Sequence, residues 1–384
     1  MEKCILIHYG EIALKGKNRG YFERLLVENI KRIPAFSGIS AEFLPGRIVL
    51  KSESETAFEN IHLLSHVPGI KYYAVAKTTD TEIESLKKAA LEILKGEDFS
   101  SFRVSTTRSY KNYPLNSIQV NETIGEEILK VFGKKVDLKN PEITIFVEIC
   151  ENQAYIYPST WKHKGIGGLP VDEKNKVLML FSGGIDSSTA PFLLMKRGCK
   201  VVFLHFYNER FFGREEMRKI KGIVEVLAKY QGETFLYLVN FTRIQDKITA
   251  FSNSKYRMLL YRRAMLRIAN EICERENIKI ISTGDSIAQV ASQTIDNIFA
   301  VYSISKFPII PPLAGMDKEE VMDLARKIGT YDLATKPYKD LCSYMLDKHP
   351  ATKISKEKLD EEEKEILPIE NYSIRKVEIK PKYA

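Results

Sequence analysis

The spacing of apolar residues changes character twice along this chain. Near the N-terminus, short apolar runs alternate with helical spacing. Cys4 to His8 is an apolar run that predicts a strand, and Phe22, Leu25, Leu26, Ile30 and Ile33 then recur as on one helix face, starting near Lys17 or Asn18. Glu42 to Lys51 predicts a hairpin around Pro45-Gly46. Ala57, Ile61 and Leu64 predict a second helix closed by Pro68-Gly69, and Ile70 to Thr78 is extended again. That order predicts a ferredoxin-like βαββαβ domain over residues 1–78.

A second α+β segment is expected over residues 79–170. Helices are predicted at Ile83 to Leu94 and Ser117 to Phe132, and strands at Phe102 to Thr106, Ile143 to Cys150 and Gln153 to Tyr157. The glycine-rich run Lys164 to Pro170 predicts a flexible connection and a domain boundary. From residue 171 to 384 the pattern shifts to short, continuous apolar runs: Val177 to Phe181, Val201 to Tyr207, Thr234 to Phe241 and Ile278 to Ser282. Helical stretches lie between them, as in a parallel sheet covered on both faces. The fold class is therefore multidomain, α+β followed by a doubly wound α/β domain whose ligand sits at the carboxyl ends of the strands. The charged tail after Lys353 predicts a helix and then an extended segment.

Composition narrows this picture. With 384 residues, 44% hydrophobic and 28% charged, the chain is globular and too long for one ordinary core. No apolar run reaches the roughly 18–20 residues of a membrane span, and the N-terminus lacks a signal-peptide cleavage site, so a cytoplasmic location is expected. Five cysteines without a C-x-x-C pair suggest neither a disulfide framework nor a metal centre. The net charge of +8 gains meaning from its distribution. Three stretches carry no acid: one with Arg103, Arg108 and Lys111, one with Lys162 and Lys164, and one from Lys247 to Arg267 that includes Arg262 and Arg263. Each alone reads as a solvated face; together they point to nucleic acid.

The strongest chemical signal is Leu180-Phe181-Ser182-Gly183-Gly184-Ile185-Asp186-Ser187-Ser188, set between a predicted strand and a predicted helix. Two glycines permit a tight turn, the serines add donors, and the helix start presents unpaired N–H groups to an anion. Asp186 in such a loop fits a divalent cation. The plainer alternative is a strand-to-helix turn with a serine cap. A second glycine-lysine run, Gly10 to Asn18, has one residue too many between its glycines and no Ser or Thr after Lys17, so it is not a kinase-type phosphate loop.

The S-G-G-x-D-S run resembles the PP-loop of the ATP pyrophosphatases. Tyr9 to Arg19, the THUMP-like Phe102-Arg103-Val104 and Val136 to Pro141, Gly165 to Pro170, and Thr283 to Thr294 extend the likeness over nearly the whole chain. In that order they resemble the tRNA 4-thiouridine synthetases, the ThiI family of tRNA uridine 4-sulfurtransferases. The resemblance implies ATP and Mg²⁺ as cofactors, with Leu180, Phe181, Ser182, Gly183, Gly184, Asp186, Ser187, Ser188, His205, Phe206, Arg262, Gly284 and Gln293 around the nucleotide. It implies Lys318 in adenylation and Cys342 as the sulfur-handling residue, with Asp186 also catalytic. For Lys318 the local alternative is the first turn of a helix capped by Asp317, and for Cys342 it is a buried thiol.

The implied reaction adenylates the C4 oxygen of a tRNA uridine, position 8 by resemblance, and then replaces it with persulfide sulfur. Arg103, Arg108, Lys111, Lys162 and Lys164 are the expected RNA contacts, and the basic helix Lys255 to Arg267 is expected to face the RNA near the active site. Longer relatives carry a rhodanese domain. This chain is expected to be the short form, supplied by a separate persulfide donor, a cysteine desulfurase or rhodanese, and to form a homodimer without membrane attachment. Two rival readings stand beside this one: an ammonia-using PP-loop ligase that does not need Cys342, and a non-catalytic tRNA-binding protein.

Overall fold

The computed structural model describes residues 2–337 and 350–383; Cys342 lies outside the described residues. The chain divides into two compact units, residues 1–170 and 171–384.

In the first unit, β1 (Lys3–Tyr9), α1 (Arg19–Lys31), β2 (Ser40–Leu44), β3 (Arg47–Lys51), the short α2 (Thr56–Glu59) and β4 (Ile70–Thr79) follow one another. The hairpin turns at Gly46, whose φ of +82° suits a residue without a Cβ. The helix expected over 57–64 is broken: α2 gives way to a 3-10 segment, Ile61–His66, that packs Leu63 and Leu64 inward. Then come α3 (Ile83–Leu94), β5 (Ser101–Arg108), α4 (Ser117–Phe132), β6 (Lys135–Val136), β7 (Ile143–Ile149), β8 (Ala154–Pro158) and β9 (Lys162–Lys164). Asn116 closes a capping box with Gln119 and so fixes the start of α4.

Among the described residues, these strands form one sheet in the order β2-β3-β1-β4-β8-β7-β5-β6, with β9 added on β4. The ferredoxin-like segment and the segment after it thus share a single sheet. Leu86, Ala90, Ile93, Val120, Ile124 and Ile128 of α3 and α4 bury one face against Val104, Ile145, Val147 and Ile156. On the other face the sheet curls, so that Arg47 of β3 reaches Glu148 of β7 across three intervening strands. Glu148 also accepts from Tyr157 Oη at 2.6 Å and lies 3.1 Å from His8 Nε2. Burial opposes its ionisation, but the His8, Arg47 and Tyr157 contacts outweigh burial and lower its pKa.

The glycine-rich run is not the flexible connection the composition suggested. Gly165 N–H donates to Lys71 O and Gly167 N–H to Ile70 O, while Gly69 N–H donates to Gly167 O. A Cβ on Gly165 would lie 2.2 Å from Ile70 O, so glycine is required by close backbone approach.

The second unit contains β10 (Leu169–Leu180), α5 (Ile185–Lys196), β11 (Arg197–Tyr207), α6 (Arg214–Ala228), β12 (Thr234–Asn240), α7 (Thr242–Phe251), α8 (Arg257–Glu276), β13 (Ile281–Ser282), α9 (Ile295–Tyr302), β14 (Ile309–Ile310), α10 (Lys318–Ile328), α11 (Tyr331–Ala334), α12 (Lys356–Lys364) and β15 (Ser373–Ile379). Its sheet order is β14-β13-β10-β11-β12-β15. β13 runs parallel to both β10 and β14, and β11 runs parallel to β12. The extended tail is β15, which closes the sheet antiparallel to β12. Leu178, Leu204, Val239, Leu260, Ala264 and Ile268 belong to the core between the sheet and α8.

Candidate nucleotide site

β10 ends at Leu180, and Phe181 N–H still bonds Leu204 O of β11 at 2.8 Å. The chain then turns at Gly183, with φ of +85°, into α5. Gly184 is the N-cap and has no side chain to satisfy the helix's first N–H groups, so the positive end of the helix is left open to an anion. Ser187 organises this turn from inside. Its Oγ accepts from Ser182 N at 3.2 Å and Gly183 N at 3.1 Å, donates to Gly184 O, and lies 3.0 Å from Ser182 Oγ.

The loop after β13 comes down on the first turn of α5. A Cβ on Gly284 would lie 2.8 Å from Ser187 N and 2.9 Å from Ser187 Cα, so glycine alone permits the approach. Between the two lies a cavity of about 260 Å³ lined by Leu180, Ser182, Asp186, Arg262, Gln293 and Tyr302, among others. Its polar wall is built on the buried Asp285. That carboxylate accepts from Arg262 and Tyr302, and from Gln293 Nε2 at 2.9 Å; Arg262 also donates to Ser292 O at 2.7 Å. Burial pushes the Asp285 pKa up, but Arg262 and then the Tyr302, Gln293 and Thr283 hydrogen bonds bring it below its ordinary value. Asp285 is therefore an anion that fixes two of the expected nucleotide contacts.

At the mouth of the turn, Asp186 Oδ1 accepts from Lys318 Nζ at 2.6 Å and Oδ2 from Gln289 Nε2 at 3.0 Å. Lys318 opens α10 and also reaches the turn. Asp317 caps α10 through a capping box with Glu320, and the first helical side chain, Lys318, still reaches Asp186.

Leu180, Ser182, Asp186, Ser187, Arg262, Gly284 and Gln293 all line the cavity, and Gly183 and Gly184 shape the turn beside it. Four expected residues stand apart, the first being Phe181, which is buried and packs edge-on to Phe203 at 5.4 Å. Ser188 is fully buried; its N–H is bonded to Gly184 O within the helix, and its Oγ has no hydrogen-bond partner among the described residues. Phe206 packs in the core edge-on to Phe241 at 5.5 Å. His205 points to the opposite face of the sheet from Phe206 and donates from Nδ1 to Phe181 O at 2.8 Å. Burial holds its pKa down to about 4 although the Phe181 bond opposes this, so it is a neutral strut behind the turn. Asp285, Tyr302 and Gln289 escaped sequence reasoning; Asp285 sits directly beside Gly284 in the Thr283-Gly284-Asp285 run, the one available signal.

Most charges of the basic helix are engaged within the protein. Arg263 is completely buried and bonds Asp360, Glu363 and Ala300 O; Arg267 bonds Glu363; Arg257 donates to Thr249 O. These charges hold α8 to α7, α9 and α12, and Lys255 is left exposed beside them. The absence of acids between Lys247 and Arg267 concealed that the partners of Arg263 and Arg267 come from the tail.

In the first unit, Arg103 bonds Thr144 Oγ1 at 3.1 Å and Leu138 O, and Arg108 bonds Leu115 O at 2.8 Å. Both steady exposed loops. Lys111 and Lys164 are exposed, and the Lys162 ammonium lies 4.1 Å from the ring centres of both Tyr72 and Phe146. No helix is long and apolar enough to cross a membrane, and no cluster of three metal-binding side chains occurs among the described residues.

Family models place this geometry. Residues 173–367 match the Thiamine biosynthesis protein (ThiI) model, residues 80–158 the THUMP domain, and residues 4–74 the ThiI ferredoxin-like domain. The chain is 38% identical over 368 residues to a probable tRNA sulfurtransferase of Thermoanaerobacter sp. (strain X514), covering 95% of this chain and 96% of that protein. It is 39% identical over 367 residues, with the same coverage, to one of Caldanaerobacter subterraneus subsp. tengcongensis. A solved 4-thiouridine synthetase–RNA complex with bound ATP superposes with a TM-score of 0.87 at 30% identity, covering 98% of this chain and all of that one. With all three of its characteristic domains present in order and its length matched nearly end to end, the chain belongs to the ThiI family.

Proposed function

We propose that this protein is an ATP-dependent tRNA sulfurtransferase that makes 4-thiouridine. The C4 oxygen of a tRNA uridine attacks the α-phosphate of ATP and pyrophosphate leaves. The outer sulfur of a cysteine persulfide then attacks C4, AMP departs with the former base oxygen, and a second thiol cleaves the remaining S–S bond, leaving sulfur on C4 and a disulfide on the carrier cysteine. The observation that carries this reading is the open start of α5 facing a cavity of about 260 Å³, with Asp186 and Lys318 at its mouth, in a chain so similar to tRNA sulfurtransferases.

The chain's own residues divide the work. The N–H groups at the start of α5 receive phosphate charge that backbone dipoles stabilise without reorganising. Arg262 and Gln293, held by Asp285, form the nucleotide wall, and Lys318 offsets negative charge developing beside Asp186. The residues also fit Mg²⁺: Asp186 is a partly exposed hard oxygen ligand, suited to a cation that shares its coordination with phosphates. When bound, the ion neutralises charge on the departing pyrophosphate.

For sulfur handling we propose Cys342, supplied by a separate persulfide donor such as a cysteine desulfurase or rhodanese. Support comes from the other cysteines. Cys4, Cys150 and Cys273 are buried, and burial pushes the Cys4 and Cys273 thiols up to about 12 and also raises Cys199, which disfavours the nucleophilic thiolate. Arg103, Arg108, Lys111, Lys162 and Lys164 are proposed to serve tRNA binding, the two arginines by shaping loops. A homodimer and a cytoplasmic location complete the reading on the family resemblance.

The test is to incubate tRNA, ATP-Mg²⁺ and sulfide with the protein and read 4-thiouridine together with pyrophosphate. Both products are expected, each dependent on tRNA. Absence of tRNA-dependent pyrophosphate would contradict the proposal, and so would aminated in place of thiolated base when ammonia is supplied.

A further inference from the structure

Helix α6 carries Arg214, Arg218 and Lys221 at i, i+4 and i+7, spacing that places them along one face. They line a groove of about 790 Å³ whose other side is formed by Leu333, Lys336 and Pro337 at the end of α11. None of Arg214, Arg218, Lys221 and Lys336 pairs with an acid among the described residues.

The acids nearby are largely committed elsewhere. Glu216 turns back to accept from Gly213 N at 2.9 Å, and Glu225 pairs with Lys382 at 2.8 Å. Among the described residues that line the groove, this leaves Glu215 to oppose the four cations. Lys219, next in sequence to Arg218, points the other way: its buried amine donates to Ala334 O at 3.0 Å and Lys336 O at 2.9 Å, tying the second wall of the groove to α6. The groove is thus a built feature whose charge the described residues do not cancel.

We infer that this groove takes the phosphodiester backbone of tRNA beside the uridine being modified, an inference that rests on the function proposed above. Two features favour RNA over an acidic protein. Protein docking surfaces concentrate charge at the rim around an apolar centre, whereas here the cations line the groove itself. Second, Lys336 lies just before the segment that carries Cys342 in sequence, so the chain that brings sulfur to the base leaves from this groove's wall. The catalytic unit thereby holds its own grip on the RNA, separate from the THUMP-like segment.

The test uses the full chain with Arg218→Gln/Lys221→Gln, two side chains outside the nucleotide site, and a control pair of equal charge change, Lys279→Gln/Lys364→Gln. Thiolation is driven by sulfide, so that no donor protein is present, and tRNA binding is measured directly at several salt concentrations. The groove variant should raise the KM for tRNA about tenfold with the KM for ATP unchanged. Loss of two phosphate contacts should flatten the salt dependence of binding by about 1.4–1.8 in logarithmic slope. The control pair should change neither.

A groove variant with wild-type tRNA KM and salt slope would overturn the inference, as would a defect that appears only when a carrier protein delivers the sulfur, which would make the groove a protein-docking surface. If the wild type makes no thiouridine at all, the proposed function fails. The salt slopes of direct binding then still decide whether RNA occupies this groove.

Discussion

Asp285→Asn tests whether the nucleotide wall is held by charge or by shape alone. The side chains of Asp285 and Arg262 are 11% and 14% exposed, and the carboxylate also accepts from Gln293 and Tyr302. Asparagine keeps the volume and one acceptor oxygen but removes the charge, leaving Arg262 a shielded cation that has lost its Asp285 partner and keeps its bond to Ser292 O. Breaking a buried pair from one side typically costs about 3–5 kcal/mol. Because this pair borders a cavity that water can enter, the lower end, about 3 kcal/mol, is expected for stability. If about half of that appears as disorder of Arg262 and Gln293 in the free enzyme, the KM for ATP should rise about tenfold.

Urea unfolding and the ATP dependence of pyrophosphate release, measured side by side, check both numbers. Arg262→Met made in the same background removes the stranded cation, so the double variant should be more stable than the sum of the single losses predicts. The acid limb follows from the same carboxylate. Since its pKa is lowered in the folded state, its contribution is full above the ordinary carboxylate range and is lost as pH falls through the depressed folded value. An Asp285→Asn protein with wild-type stability and ATP KM, or single effects that simply add, would refute the reasoning.

Gly284→Ala forces a Cβ to 2.8 Å from a backbone nitrogen of α5, so pyrophosphate release should fall at least about a hundredfold, the scale of a misplaced catalytic geometry; a steady-state assay decides. His205 is held neutral down to about pH 4, so its burial should make stability decline as pH falls from the ordinary histidine range toward 4. His205→Gln should flatten that window in unfolding titrations; an unchanged pH profile counts against the strut role. Lys219→Met should lower thiouridine formation several-fold more than pyrophosphate release, because its bonds hold residues 334 and 336 next to the Cys342 segment; equal losses of the two products count against that assignment.

Much of this architecture can be read in the sequence because it rests on local rules. The helices Ile83–Leu94 and Ser117–Phe132 fall where their apolar spacing and, for the second, the Asn116 cap put them, and the turn at Gly183 follows from its motif. What escaped depends on contacts distant in the chain. The 57–64 helix breaks into two short pieces, a result its apolar spacing did not signal. The basic run in α8 read as an RNA surface because the acids that neutralise Arg263 and Arg267 arrive about a hundred residues later, in α12. The groove on α6 was hidden for the converse reason. Its cations are interleaved with glutamates in sequence, and only folding directs Glu216 and Glu225 elsewhere. Asp285 lay inside a quoted motif, yet nothing local shows that it, and not solvent, binds Arg262.

The central claim is that the base oxygen leaves on AMP, and tRNA carrying heavy oxygen at C4 of the target uridine tests it most directly. Mass spectrometry of the AMP released during thiolation should find the heavy oxygen in its phosphate, with pyrophosphate unlabelled. Thiouridine formed while AMP stays unlabelled would contradict activation of the C4 oxygen by adenylation.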